Sequence, residues 1–140
     1  MYAEFDESLV TGNEMIDAQH KELIGKINEL LKSCELNSGK MAAVQTLGYL
    51  ADYTDYHFQA EEKLQEEIKY PGLAEHKQKH EELRKTVEEL HNMLEEEEGP
   101  SEAFVDQVQK KVVEWLYNHI KGFDRSVAEY KNMTLSSDRL

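Results

Sequence analysis

Apolar residues recur at alternating spacings of three and four along four stretches of this chain, and nothing constrains its fold more. An α-helix turns about 100° per residue, so that spacing lays one side of a helix into a core. The first stretch, about 13–34, carries Ile16, His20, Leu23, Ile27, Leu30 and Cys34 on one stripe. The second, about 39–68, carries Ala43, Leu47, Leu50, Thr54, His57, Glu61, Leu64 and Ile68. The third, about 72–95, carries Leu73, His76, His80, Leu83, Val87, Leu90 and Leu94. The fourth, about 102–130, carries Val105, Val108, Val112, Leu116 and His119 before its register becomes ambiguous. Between them lie turn-forming clusters, "LNSGK", "KYPGL" and "EEGPSE", which hold both prolines of the chain, Pro71 and Pro100. Asn13, Ser38 and Ser101 are placed to cap helix N-termini. Four amphipathic helices joined by short links make antiparallel neighbours. The fold class is therefore all-α, an up-down-up-down antiparallel four-helix bundle. It occupies residues 1–130 as one domain, and residues 131–140 read as a polar tail. The acidic run Glu95–Glu98 is a solvated helix end, where negative charge opposes the helix dipole.

The stripes are interrupted by groups that do not belong in a core: His20, His57, Glu61, His76, His80 and His119. Burying a carboxylate without a partner costs several kcal/mol. Counted from the links, these residues lie at depths that agree to within about one helical turn, ~5 Å. All four helices thus deliver polar side chains to one slab of the interior. His57 and Glu61 are i,i+4, as are His76 and His80, so each pair shares a helix face. A shared metal site accounts for the set better than five unrelated core histidines. With Asp124 the donors number five imidazoles and two carboxylates, too many for one ion and suited to two. Two divalent ions and two carboxylates leave a charge near +2, which a bridging hydroxide lowers further. A carboxylate-rich di-metal bundle would need two Glu-x-x-His motifs. Only Glu88 with His91 is available, and His91 lies about 16 Å along the axis from His80, too far to share the site.

Charge narrows the partners. Asp and Glu outnumber Lys and Arg by 29 to 16, a net charge of −13. That speaks against nucleic acid and against an anionic membrane surface. No apolar run approaches the ~20 residues of a membrane span. The N-terminal "MYAEFDESLV" lacks the basic and apolar regions of a signal peptide, and Cys34 stands alone, so neither a disulfide framework nor a cysteine zinc site is expected. A cytoplasmic protein is the expectation.

The motifs "IDAQH" (16–20), "HFQAE" (57–61), "HKQKH" (76–80) and "HIKGFD" (119–124) together resemble those of the hemerythrin family, in its single-domain bacterial form. The resemblance implies that His76, His80 and His119 bind one iron and that His20 and His57 bind a second. Glu61 and Asp124 would bridge the two, alongside an oxo or hydroxo bridge. O₂ would take the open position on the second iron, within an apolar wall of Leu23, Phe58, Trp115, Leu116 and Ile120. The expected activity is reversible O₂ carriage, storage or supply by a binding protein rather than an enzyme. The alternatives are a di-iron oxidoreductase acting on peroxide or NO, O₂ or iron sensing through a protein partner, and a metal store. Bacterial members usually carry a tryptophan before the first helix, where this chain offers only Tyr2 and Phe5.

His119 and Asp124 pose a separate problem. Five residues apart, they are rotated by roughly 140° on a regular helix. One extra residue in a turn, a π-bulge, would bring both to the same face. Such bulges are rare and concentrate at functional sites. The spacing therefore predicts a π-type turn between about Leu116 and Asp124, eased by Gly122.

Overall fold

The structure, a computed structural model, describes residues 2–36, 39–97 and 99–138. Three helices follow the expected stretches closely: α1 (Glu14–Glu35), α2 (Lys40–Glu67) and α3 (Leu73–Glu96). The fourth, α4, is built from five consecutive pieces: Glu102–Val108, Gln109–Val113, Glu114–His119, Ile120–Asp124 and Arg125–Asp138. Helix packs on helix in chain order, α1 on α2, α2 on α3 and α3 on α4, as short links between antiparallel neighbours require. Asn13 Oδ1 accepts from Ile16 N–H at 3.0 Å and Ser101 Oγ from Phe104 N–H at 3.1 Å, so both caps form as expected. Ser38, the third expected cap, lies outside the described residues. The residue that caps α2 is Gly39, which has φ +94° and no side chain to bond with, a conformation that suits glycine. In the first turn of α4 Phe104 is fully buried, while its neighbour Val105, assigned to the stripe above, is only partly buried.

Two of the five pieces of α4 are π-helical. At Ile120–Asp124, the Arg125 N–H bonds to the Ile120 carbonyl five residues back. This is the turn that the His119–Asp124 spacing demands. At Gln109–Val113, the Glu114 N–H likewise bonds to the Gln109 carbonyl. That second π turn was not expected, and it lets adjacent Val112 and Val113 both reach the core. The helix then continues through Asp138, beyond the stretch marked by apolar spacing.

The polar slab lies between two apolar clusters. A small one joins Ile16, Leu64 and Val127, with Ile68 and Tyr70 packed against it. The main one holds Leu23, Ile27, Phe58, Leu83, Leu116, Ile120 and their neighbours from all four helices. An N-terminal strap, with a 3₁₀ turn at Glu7–Leu9, crosses the bundle. Ala3 donates to Asn28 Oδ1 at 2.8 Å, and Asn28 Nδ2 returns a bond to the Ala3 carbonyl at 2.9 Å. Glu4 N–H donates to the Tyr117 hydroxyl at 2.8 Å, and the Arg125 guanidinium donates to the carbonyls of Ser8 and Val10. Within the strap, Phe5 packs against the core, with Lys21 Nζ 5.2 Å from its ring centroid.

The α2–α3 link bears on the site. Ile68 ends α2, Lys69 adopts φ +56°, and Tyr70 N–H bonds to the Gln65 carbonyl at 2.8 Å while Lys69 N–H bonds to that of Glu66 at 3.2 Å. This is a Schellman closure in which a lysine occupies the left-handed position that glycine normally takes. Left-handed backbone costs an L-residue roughly 1–2 kcal/mol, partly offset by the freer unfolded chain of a glycine variant. Lys69→Gly is therefore expected to stabilise the fold by up to about 1 kcal/mol, measured as an upward shift of the urea midpoint. An unchanged or lowered midpoint would show that the strain is absent.

Candidate metal centre

Seven titratable side chains converge in the slab. His20, His57, Glu61, His76, His80 and Asp124 have no solvent exposure, and His119 has 3%. His20 comes from α1, His57 and Glu61 from α2, His76 and His80 from α3, and His119 and Asp124 from α4. All seven side chains proposed from the sequence as metal ligands meet in this cluster. His91, set aside on distance, has a side chain 46% exposed and sits 3.7 Å from Glu95.

The donors fall into two sets. Glu61, His76, His80, His119 and Asp124 form one, and His20, His57, Glu61 and Asp124 the other. Within each set the ligand atoms all lie within 4.8 Å of one another, close enough to surround one ion. Both carboxylates belong to both sets, and each divides its oxygens between them. Glu61 Oε1 lies 2.6 Å from His57 Nε2, while Oε2 faces His76 Nε2 at 3.7 Å. Asp124 Oδ2 lies 2.7 Å from His20 Nε2, while Oδ1 lies 3.0 Å from His76 Nε2 and 3.2 Å from His119 Nε2. The last distance is the direct product of the π turn at Ile120–Asp124.

Several of these atoms are unsatisfied as they stand. Both Glu61 oxygens, Asp124 Oδ1, His57 Nε2 and His80 Nε2 are buried without a hydrogen-bond partner. His57 Nε2 and Glu61 Oε1 are close, yet their orientation is not that of a hydrogen bond. Each unmade bond costs about 1–3 kcal/mol. Lone pairs that converge on a point, rather than on one another, are what a cation would satisfy. The donor set therefore fits a pair of metal ions.

The far side of the rings is also organised. Neutral imidazoles that offer Nε2 to a metal carry their proton on Nδ1. His57 Nδ1 meets the acceptor Gln19 Oε1 at 2.6 Å, and His80 Nδ1 meets the acceptor Glu62 Oε2 at 2.7 Å. His76 Nδ1 faces the Gln65 amide nitrogen at 2.8 Å, and a turn of that amide would bring its otherwise unpartnered oxygen to accept the ring proton. The Gln65 carbonyl that closes the α2–α3 link belongs to the same residue, so that turn and this ring are held together. These three outer residues were not identified from the sequence. Gln19 lies three after Ile16 and four before Leu23, and Gln65 lies four after Glu61, so stripe spacing contained the signal for both. Aromatic rings fix the remaining freedom. Phe58 stacks on His80 with centroids 3.7 Å apart, and His119 is sandwiched between Trp115 at 4.4 Å and Phe123 at 5.3 Å. Of the expected wall, Leu23, Phe58, Leu116 and Ile120 are buried in the main cluster, while Trp115 is partly buried and lines a surface cleft with His119, Lys79 and Asn118.

Burial and crowding set the charges. Burial, then the neighbouring His20, push His57 down to about 3, and burial with His76 and His119 pushes His80 down to about 2. Burial and the Asp124 charge push the Glu61 carboxyl well up. Burial alone would raise Asp124 too, but the adjoining His119 ring, the hydrogen bond from His20 and the close approach of His76 hold it well below the usual range. Between about pH 4.5 and 6.5, unfolding the metal-free chain lets His57 and His80 take up two protons, while Glu61 releases one. The net uptake of one proton means stability falls as pH falls, by about 1.4 kcal/mol per unit, with the half-buried Glu62 softening the slope. For chelator-treated protein, the urea midpoint is therefore expected to drop between pH 7 and 5. A midpoint that is flat or rises on acidification would contradict these shifts.

The same chain matches known proteins along most of its length. The family model "Hemerythrin HHE cation binding domain" matches residues 11–130. A bacteriohemerythrin of Stenotrophomonas maltophilia is 33% identical over 125 residues, covering 89% of this chain and 78% of that protein. A myohemerythrin of Theromyzon tessulatum is 30% identical over 121 residues, covering 86% and 87%. A crystal structure of a hemerythrin point mutant superposes with a TM-score of 0.70 at 24% identity, over 82% of this chain and 85% of that one. The matched span contains all seven residues of the buried cluster and the parts of all four helices that carry them, and the chain belongs to the hemerythrin family.

Proposed function

We propose that this cation-binding protein holds two iron ions and binds O₂ reversibly, as a carrier, store or local supplier. The division of both bridging carboxylates between the two histidine sets carries this reading. His76, His80 and His119 would hold one iron, His20 and His57 the other, and Glu61 and Asp124 would serve both, alongside an oxo or hydroxo bridge. An iron pair supplies two electrons to O₂ and takes them back on release.

The protein's own residues set the conditions. The two-histidine position has one fewer imidazole, which leaves room for a diatomic ligand. Leu23, Phe58, Leu116 and Ile120 wall the site with apolar surface, and Trp115 covers the outer face of His119. Such a lining keeps out the water and protons that would make O₂ reduction irreversible. The bundle over residues 1–130 suffices for this chemistry. A sensing role would act through a protein partner, for which the polar sequence 131–140 is the candidate contact.

Protein loaded anaerobically with Fe(II) is expected to develop a visible band in air that bleaches on deoxygenation through repeated cycles. Rapid irreversible oxidation with peroxide turnover would favour the oxidoreductase instead. His57→Ala is expected to lower iron from two to about one per chain and to abolish the band, with far-ultraviolet helicity retained. Two irons per chain and an unchanged band in that variant would refute the ligand assignment.

A further inference from the structure

All five cluster imidazoles turn Nε2 toward the centre, but their outer nitrogens are treated differently. His57 and His76 meet the neutral amides of Gln19 and Gln65. His20 and His119 have buried Nδ1 atoms without a partner. Among the described residues, His80 alone has a carboxylate behind it, Glu62, at 2.7 Å. Phe58 lies flat on the His80 ring at 3°, restricting its swing from that contact, and Arg84 sits over the Phe58 ring at 5.3 Å. The Glu62 side chain is 18% exposed; burial raises its carboxyl above the usual value, and the nearby Arg84 and Lys77 cations oppose that rise.

A charged acceptor draws the Nδ1 proton more strongly than an amide does and makes a hydrogen bond roughly twice as strong. The imidazole then places more electron density on Nε2 and becomes a stronger donor to a metal. We propose that Glu62 is a positioning residue that acts through His80 to make the His76/His80/His119 metal position the more readily oxidised of the two. The proposal rests on the di-iron reading above. Its consequence is a division of labour. A one-electron acceptor such as ferricyanide would take the first electron from iron held at the three-histidine position, and iron held by His20 and His57 would stay ferrous. The amides behind His57 and His76 orient those rings without adding charge.

The test compares wild type, Glu62→Gln, Glu62→Ala and Glu66→Gln, each loaded with iron. A spectroelectrochemical titration with ferricyanide as the one-electron acceptor is run beside an Fe(II) binding isotherm. Glu62→Gln keeps an oxygen in place and removes the charge. It is expected to retain two irons and to move the first oxidation to a more positive potential. Glu62→Ala is expected to shift it at least as far and to weaken iron binding by about 10–100-fold. Glu66→Gln removes a carboxylate one turn away that pairs with Lys77, and is expected to titrate with wild type. The inference is overturned if Glu62→Gln titrates with wild type, or if Glu66→Gln moves the potential as far. Wild type that takes up no iron would sink the di-iron reading and this inference together. Two bound irons with an unmoved potential in Glu62→Gln would sink the inference alone.

Discussion

Two buried carboxylates, each split between two groups of imidazoles, are what the rest of the structure serves. Both Glu61 oxygens and Asp124 Oδ1 find no hydrogen-bond partner on the surrounding helices, and burial closes them off from solvent. Their pKa values move in opposite directions in the metal-free chain, as expected when two acids share one dry site and only one is well supplied with donors. A core of this kind holds together because all its polar atoms face a common centre. Apolar clusters close it above and below, and the outer nitrogens of three rings are tied to Gln19, Gln65 and Glu62. Specific geometry is obtained here at a cost in stability that the metal-free protein should feel most at low pH.

The backbone of α4 gives way to that centre. A regular helix would carry His119 and Asp124 to different faces, yet the two side chains lie 3.2 Å apart. The extra residue at Ile120–Asp124 loosens the hydrogen-bond ladder locally, and the strap helps to hold the region. Arg125, immediately after the π turn, bonds to the Ser8 and Val10 carbonyls, and Tyr117, just before it, accepts from Glu4. The N-terminal segment thus braces the distorted turn as well as covering the bundle.

This also explains what was legible in the sequence. Histidines on leucine positions stand out because an apolar stripe makes each exception conspicuous, so all seven cluster residues were found from spacing together with family motifs. The π turn at Ile120–Asp124 was legible because two wanted ligands conflicted with helical periodicity. The π turn at Gln109–Val113 was not, because valines on either side satisfy a core equally well and no polar residue exposes the shift. For the same reason Val105 was taken for the buried position that Phe104 occupies. Glu62 was hidden for a different reason: it neighbours Glu61 and sits at the edge of the stripe, where a carboxylate ordinarily means solvent. The Gly39 cap and the extension of α4 to Asp138 depend on backbone conformation and on helix propagation, which composition does not reveal.

Anomalous diffraction from crystals of the iron-loaded protein, collected at the iron edge, tests the central claim most directly. Two peaks are expected inside the bundle, both within bonding distance of Glu61 and Asp124. His76, His80 and His119 should surround one peak, and His20 and His57 the other. A single peak, or two peaks that do not share both carboxylates, would contradict the division of the cluster on which the functional reading rests.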